Sequence, residues 1–122
     1  MELFMAERHL ATLSIPRPDG RAPHVTPVGF TWDAEAVLAR VITFAGAVKV
    51  RLIEEEGTAP VTLCQIDGGR WLSLEGPAVV TAEPERCAEG LRRYAERYRP
   101  PGDRGADRRV IEVAVSRITG RA

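Results

Sequence analysis

Lysine is almost absent from this 122-residue chain: of its 17 basic side chains 16 are arginine, and Lys49 stands alone. Cysteine and histidine occur twice each. Cys64 and Cys87 show no metal-ligand spacing, and no secretory leader precedes them. Both are therefore expected to be reduced packing residues of a cytoplasmic protein that binds no metal. His9 and His24 have no serine or cysteine beside them in a nucleophile context, which leaves an acyl-transfer triad without support. Glycine-rich phosphate loops of the Walker and Rossmann types are missing, and no apolar run approaches the ~18 residues of a membrane span. Net charge is missing too, because 17 acidic residues cancel the 17 basic ones. No whole-molecule field therefore favours nucleic acid or an anionic membrane as partner. With these classes set aside, no catalytic side chain is identifiable, and an enzymatic reading needs a cofactor to bring the reactivity.

What is present suffices for one domain over residues 1–122, with 44% hydrophobic residues to build a small core. Met1 to Arg8 reads as a short helix. Leu10 to Ile15 alternates as a strand, Pro18-Asp19-Gly20 supplies a turn, and Val25 to Trp32 is the return strand. Ala36 to Phe44 is expected to be a third strand and Val48 to Glu56 a helix with Val48, Leu52 and Ile53 inward, stopped by Gly57. Ala59 to Ile66 and Arg70 to Glu75 flank Asp67-Gly68-Gly69, the strongest hairpin signal in the chain. Gly76-Pro77 marks a bend or bulge before Ala78 to Thr81. From Pro84 the spacing of Cys87, Leu91, Tyr94 and Tyr98 predicts an amphipathic helix. Pro100-Pro101-Gly102 ends that helix, a charged mobile loop runs to Asp107, and Arg109 to Ile118 alternates as a last strand. Six or seven strands joined mostly by hairpins imply a mainly β fold with α: an antiparallel barrel, closed or nearly so, with short helices packed at its ends.

Two positions single themselves out. Pro27 removes a ladder donor from its strand, which marks either an edge or bulge, or a bare backbone patch against which something flat can lie. Lys49 falls at the start of a helix, where free N–H groups and the positive dipole end favour a phosphate, with Arg51 nearby. A helix-surface lysine in an arginine-rich chain is the plainer reading of the same residue.

The successive segments HLATLSIPRPDGRAPHVTPVGFTWD, VITFAGAVKVRL, TLCQIDGGRWLSLEGPAVV, YAERYR and RRVIEVAVSRITG resemble the split-barrel flavin and deazaflavin oxidoreductases related to pyridoxamine 5'-phosphate oxidase. Within that family they are most similar to the F420-dependent biliverdin reductases of actinobacteria. The likeness runs through nearly the whole chain. It implies an antiparallel split β-barrel, the FMN-binding split barrel, with short flanking helices. It also implies a homodimer that binds coenzyme F420, or alternatively FMN, and a small-molecule substrate, with biliverdin as the candidate, that receives a hydride from the reduced deazaflavin. A non-catalytic tetrapyrrole or flavin carrier is a further alternative. By position, the resemblance places the cofactor ring along Thr26, Pro27, Val28 and Gly29, lined by Val41, Ile42, Thr43 and Phe44. The phosphate falls on Lys49 with Arg51 as a supplement, and Trp71 reaches the ring from the partner subunit. The pattern departs at Ala47 and Leu52, where relatives often carry a small hydroxyl residue and an asparagine.

Overall fold

The computed structural model describes residues 1–122. In chain order the elements are α1 (Glu2–Ala6), β1 (Ala11–Ile15), β2 (His24–Val28), β3 (Phe30–Asp33), β4 (Leu38–Phe44), α2 (Val48–Glu56), β5 (Ala59–Asp67), β6 (Arg70–Thr81), α3 (Pro84–Arg97), β7 (Arg108–Ala114) and β8 (Arg117–Arg121). A single 3₁₀ turn, Gly105–Asp107, precedes β7. All the pairings are antiparallel, in the order β2-β1-β5-β6-β7-β4-β3, with β8 also on β6. This is a mainly β split barrel, as the sequence pattern implies. No helix is long and apolar enough to cross a membrane.

The strand count is eight, where six or seven were expected, and the differences have local causes. The expected strand from Val25 to Trp32 is two strands divided at Gly29. The expected last strand is divided at Val115-Ser116. The third strand begins at Leu38, because Ala36 and Val37 lie in the preceding turn, with Val37 at a φ of 55°, which a β-branched residue rarely adopts. Gly76-Pro77 leaves the pairing with β5 unbroken, Gly76 opposite Val61 and Pro77 opposite Pro60, but on the other side β6 changes partner there from β8 to β7 with a one-residue step in register. Gly76 also serves a close approach, since a Cβ there would lie 2.0 Å from the Ala114 carbonyl oxygen. In α2 it is Val50 and Ile53 that are buried, while Val48 faces solvent. The segment before Asp107 is not structureless, because Asp103 Oδ1 accepts from Gly105 N at 2.7 Å and holds the 3₁₀ turn.

The division at Gly29 defines the barrel. β2 lies at one end of the sheet order and β3 at the other, yet a single residue joins them. Phe30 pairs with Val41 on β4, so extending that register would set Ile42, Thr43 and Phe44 opposite Gly29, Val28 and Pro27. Val28 and Pro27 pair instead with Ala11 and Thr12 on β1. The far end of β4 therefore has β7 on one side and no strand on the other. The barrel is split along this line.

Inside, Leu13, Ile15, Phe30, Leu63, Leu74 and Ile111 are fully buried, and burial of each side chain is worth about 1.5–3 kcal/mol. α3 lies across β3, β4 and β7, with Gly90 so close that an added Cβ would meet Val110 Cγ2 at 2.9 Å. Beneath it Asp33 pairs with Arg40 at 3.0 Å and with Arg93 at 3.2 Å. Burial alone would raise the Asp33 carboxyl, but the Ala36 N–H and the Arg40 guanidinium outweigh it and hold it below the usual range.

The end of α3 locks the split. Arg97 donates from Nε to the Glu7 carbonyl at 2.8 Å, from Nη1 to the Phe30 carbonyl at 2.6 Å, and from Nη2 to Gln65 Oε1 at 2.6 Å. Gln65 in turn donates to the Phe4 carbonyl at 2.9 Å. The Tyr98 hydroxyl lies 3.0 Å from both the His9 and Phe30 carbonyls, and its ring is 3.1 Å from where a Gly29 Cβ would stand. One guanidinium thus ties α1, β3 and β5 to α3. Arg97→Met keeps the bulk but takes the Arg97 donor from the Glu7 carbonyl and Gln65 Oε1, while the Phe30 carbonyl keeps the Tyr98 hydroxyl, at about 1–3 kcal/mol for each acceptor left unsatisfied. The expected result is a loss of about 2–4 kcal/mol in urea unfolding, with Arg97→Lys recovering part of it.

Candidate functional site

The split opens into a cleft of about 510 Å³. Its wall is the unpaired end of β4, where Ile42, Thr43 and Phe44 line it while Val41 points into the core. Lys49 enters from the first turn of α2, Tyr94 from α3, Arg99 and Arg104 from the segment that joins α3 to β7, and Arg108 from the start of β7. Four cations therefore face one cleft, and no carboxylate lines it.

These cations are not spent on acidic partners, since no salt bridge involves any of the four. Arg108 donates to the Thr43 carbonyl at 3.2 Å and to the Gly102 carbonyl at 2.6 Å, and its Nε has no partner. The Arg104 guanidinium lies 4.3 Å above the centre of the Phe44 ring. Burial depresses the Lys49 ammonium below its ordinary value, with no anion to offset the effect. Thr43 is 4% exposed and its hydroxyl also lacks a partner. Uncompensated cations and orphaned buried polar atoms beside them are the donor set of an anion site. A phosphate group fits that chemistry.

The structure distributes the sequence-derived candidates unevenly. Ile42, Thr43, Phe44 and Lys49 come together in the cleft. Thr26, Pro27, Val28 and Gly29 form the facing edge of the split, and Gly29 touches the cleft through Tyr94, whose Cε2 lies 3.3 Å from the position of a Gly29 Cβ. Arg51 does not share the Lys49 cleft. It lines a separate one of about 360 Å³ with Arg17, Asp19, Leu52 and Glu55, because positions two apart on a helix lie on different faces. Trp71 is 37% exposed on β6 and lines none of the clefts described in this chain.

Ala47, at the N-cap of α2, contributes no side-chain oxygen, and Leu52 lies with Arg51 away from Lys49. Arg99, Arg104 and Arg108 bring the further cations to the cleft; sequence reasoning counted Arg99 among the arginines open to an anionic substrate but passed over Arg104 and Arg108, which lie in and just after the segment read as a loop. The visible signal was the density of arginine in RYRPPGDRGADRR. The one cluster with ligand-like spacing, Glu7, His9 and Asp67 within 4.8 Å, already holds a cation. Arg70 donates to Glu7 at 2.9 and 3.0 Å and also bonds Asp67.

His24 on β2 senses the cleft. Burial first, then the charges of Arg17 and Lys49, lower its pKa from 6.5. The folded apo protein therefore favours neutral His24, which contributes stability above the unfolded pKa and loses it as pH falls through the folded one. An anion beside Lys49 cancels part of that field and raises the His24 pKa, so anion binding takes up a proton. In a ¹H–¹³C titration, His24 is expected to titrate below 6.5 in the apo protein and to move upward with saturating phosphate. A His24 titration that phosphate does not shift would contradict an anion site at Lys49.

Comparison with known proteins is consistent with this geometry. A family model described as pyridoxamine 5'-phosphate oxidase matches residues 1–122. An F420H(2)-dependent biliverdin reductase from Mycobacterium tuberculosis is 47% identical over 120 residues, covering 98% of this chain and 84% of that protein. Among solved structures, an F420 reductase aligns with a TM-score of 0.75 at 25% identity, over 97% of this chain and 94% of that one. A conserved hypothetical protein from Mycobacterium tuberculosis aligns with a TM-score of 0.79 at 22% identity, over 98% and 81% of the two chains.

Proposed function

The chain belongs to the pyridoxamine 5'-phosphate oxidase family, and on that footing we propose that it is an F420H2-dependent reductase acting on a conjugated small molecule of the biliverdin type. The observation that carries this reading is the carboxylate-free set of Lys49, Arg99, Arg104 and Arg108 lining one cleft at the split. One phosphate needs one or two cations. Four in one cleft suit a cofactor whose anionic groups continue beyond the phosphate, as they do in the acidic tail of F420. The 47% identical relative is named for the same cofactor and substrate.

When bound, reduced F420 supplies the hydride. The chain's own residues bind and orient. Lys49 and Arg108 hold the phosphate, with the Thr43 hydroxyl as a further donor, and Arg99 and Arg104 pair with the tail. The unpaired edge of β4 at Ile42 to Phe44, and that of β2 at Thr26 to Gly29, offer backbone groups to the planar ring. Tyr94 and Tyr98 fill the space behind Gly29 and keep water from that side. Orientation in a fixed cleft is the protein's main contribution to such a transfer.

FMN is the second reading, favoured by the family match itself. Salt separates the two, since each extra ion pair steepens the loss of affinity with ionic strength. F420 binding, read by fluorescence, is expected to be the tighter and the more salt-sensitive. Tighter FMN binding with equal salt dependence would favour a flavin enzyme, and binding without turnover of reduced F420 would favour a carrier.

Lys49→Ala removes a charge-assisted hydrogen bond to phosphate, expected to cost about 1.5–3 kcal/mol of F420 affinity, roughly tenfold to a hundredfold. Lys49→Arg is expected to be intermediate, with little change in melting temperature for either. Unchanged affinity in Lys49→Ala would remove the phosphate assignment.

The same reading makes the protein a cytoplasmic homodimer. The outward face of β2, β1, β5 and β6 carries Val25, Pro27, Thr12, Ser14, Thr62, Cys64 and Ser73 in register, ending at the Ile66–Trp71 pair. No helix of the chain covers it; α2 meets these strands from the core side through Ile53. Ile66 and Val25 are 59% and 57% exposed. A second copy against this face buries them and brings Trp71 towards the partner's split. Sedimentation is expected to show a dimer at micromolar concentration and a monomer for Ile66→Asp. A monomeric wild type would remove both the dimer and the role of Trp71.

A further inference from the structure

A second cleft, of about 350 Å³, lies between α1, the end of β3 and α3, and none of the cofactor residues lines it. Tyr94 faces the split, whereas Arg93, Glu96 and Arg97, at spacings of three and one, present a neighbouring stripe of α3 to this other cleft. Its apolar wall is Met5, Ala6 and Trp32.

Three features of its polar wall are left over by the fold. Arg97 has five N–H groups and donates three bonds, all to neutral oxygens of Glu7, Phe30 and Gln65. No carboxylate pairs with it, so its charge is sheltered and uncompensated, with the guanidinium resting 4.8 Å from the Phe30 ring centre. Thr31 is 5% exposed and its hydroxyl has no partner. Trp32 Nε1, a donor only, is buried without an acceptor. The other charges at the cleft are already accounted for: Arg93 is bound to Asp33 and Glu89, and Glu96 to Arg92. Glu2, at the entrance, is exposed. What the inner wall lacks is an acceptor carrying negative charge, and what the outer wall offers is apolar surface.

We propose that this cleft is a second ligand site, separate from the cofactor cleft, that takes a small monocarboxylate with an apolar body, the carboxylate on Arg97 and Thr31 and the body against Met5, Ala6 and Trp32. The volume admits a ligand the size of benzoate or a branched short-chain acid. A dianion is disfavoured by Glu2 at the entrance. Binding is non-covalent and changes no bond.

The test is a benzoate titration of the full chain, followed by the tryptophan indole ¹H–¹⁵N resonances. There are two, Trp32 and Trp71, and Trp71→Phe assigns them. The Trp32 resonance is expected to shift saturably with benzoate and not with benzamide or inorganic phosphate, while that of Trp71 stays put. Thr31→Val removes the orphaned hydroxyl without changing the shape of the side chain and is expected to weaken benzoate about tenfold or more. Ala6→Phe fills the cleft from its rim and is expected to abolish the shift while F420 affinity is unchanged. Arg97 is left intact because the fold depends on it. A Trp32 resonance that does not saturate, an equal response to benzamide, or benzoate binding that survives Ala6→Phe would overturn the proposal.

Discussion

The geometry of this protein depends on where one arginine puts its hydrogen bonds. Arg97 reaches from the last turn of α3 to oxygens that belong to the exit of α1, the start of β3 and the middle of β5. Those three segments have no mutual ladder at that point, so without the guanidinium the Glu7 carbonyl and Gln65 Oε1 would lose their donor and the Phe30 carbonyl would keep only the Tyr98 hydroxyl. Burial lowers the Arg97 pKa, yet a guanidinium remains charged at any ordinary pH. The charge persists, sheltered among neutral dipoles and aromatic faces. Phe30 is held by the same contact, and Phe30 is the residue at which the chain leaves the split.

From that point the site follows. Because Gly29 diverts the chain from β1 to β4, two strand edges are exposed to each other along one line, and the residues beyond α3 are delivered to its mouth. The arginines there line the cleft in which the N-cap of α2 offers no side-chain donor. Ala47 has no hydroxyl to offer, but Arg108, fixed by the Thr43 and Gly102 carbonyls, stands in the same cleft as Lys49. An anion site assembled from a loop and a strand start is less preorganised than one built on a helix N-terminus alone. The 3₁₀ turn at Gly105–Asp107 and the Ala45 N to Asp107 O bond at 2.9 Å make up part of that difference by pinning the loop to the end of β4.

Much of the fold was legible because its signals are local. Asp67-Gly68-Gly69 specifies a tight turn, and Gly68 takes a φ of 60° there. The alternation of β1 and the stripe of α3 follow from side-chain period alone, whereas β7 departs from the alternation expected of it, with Val110, Ile111, Glu112 and Val113 all buried because α3 covers its other face. The break at Gly29 was not legible, since the residues on both sides keep strand alternation and the change is one of partner, which only the tertiary structure sets. Gly76 was legible only in part: a glycine beside a proline marks the point where β6 changes partner, but that it also admits the backbone of Ala114 from another strand is set by the tertiary structure. Lys49 stood out because it is unique, and Thr43 only through the family resemblance. Arg108 did not, since one arginine among 16 carries no signal of its own.

The order of the sheet also fixes when each strand edge is closed during synthesis. β3 and β4 can pair as soon as they leave the ribosome, but the other side of β4 waits for β7 at residues 108–114, after α2, β5, β6 and α3 have been made. Until then LARVITF is an apolar strand with an open edge, the kind of segment that recruits foreign strands. A product truncated before residue 108 would therefore keep most of its core residues and lose the strand that seals them. Ribosomes that stall before β7 would release the more aggregation-prone species, so this one strand bears on quality control out of proportion to its length.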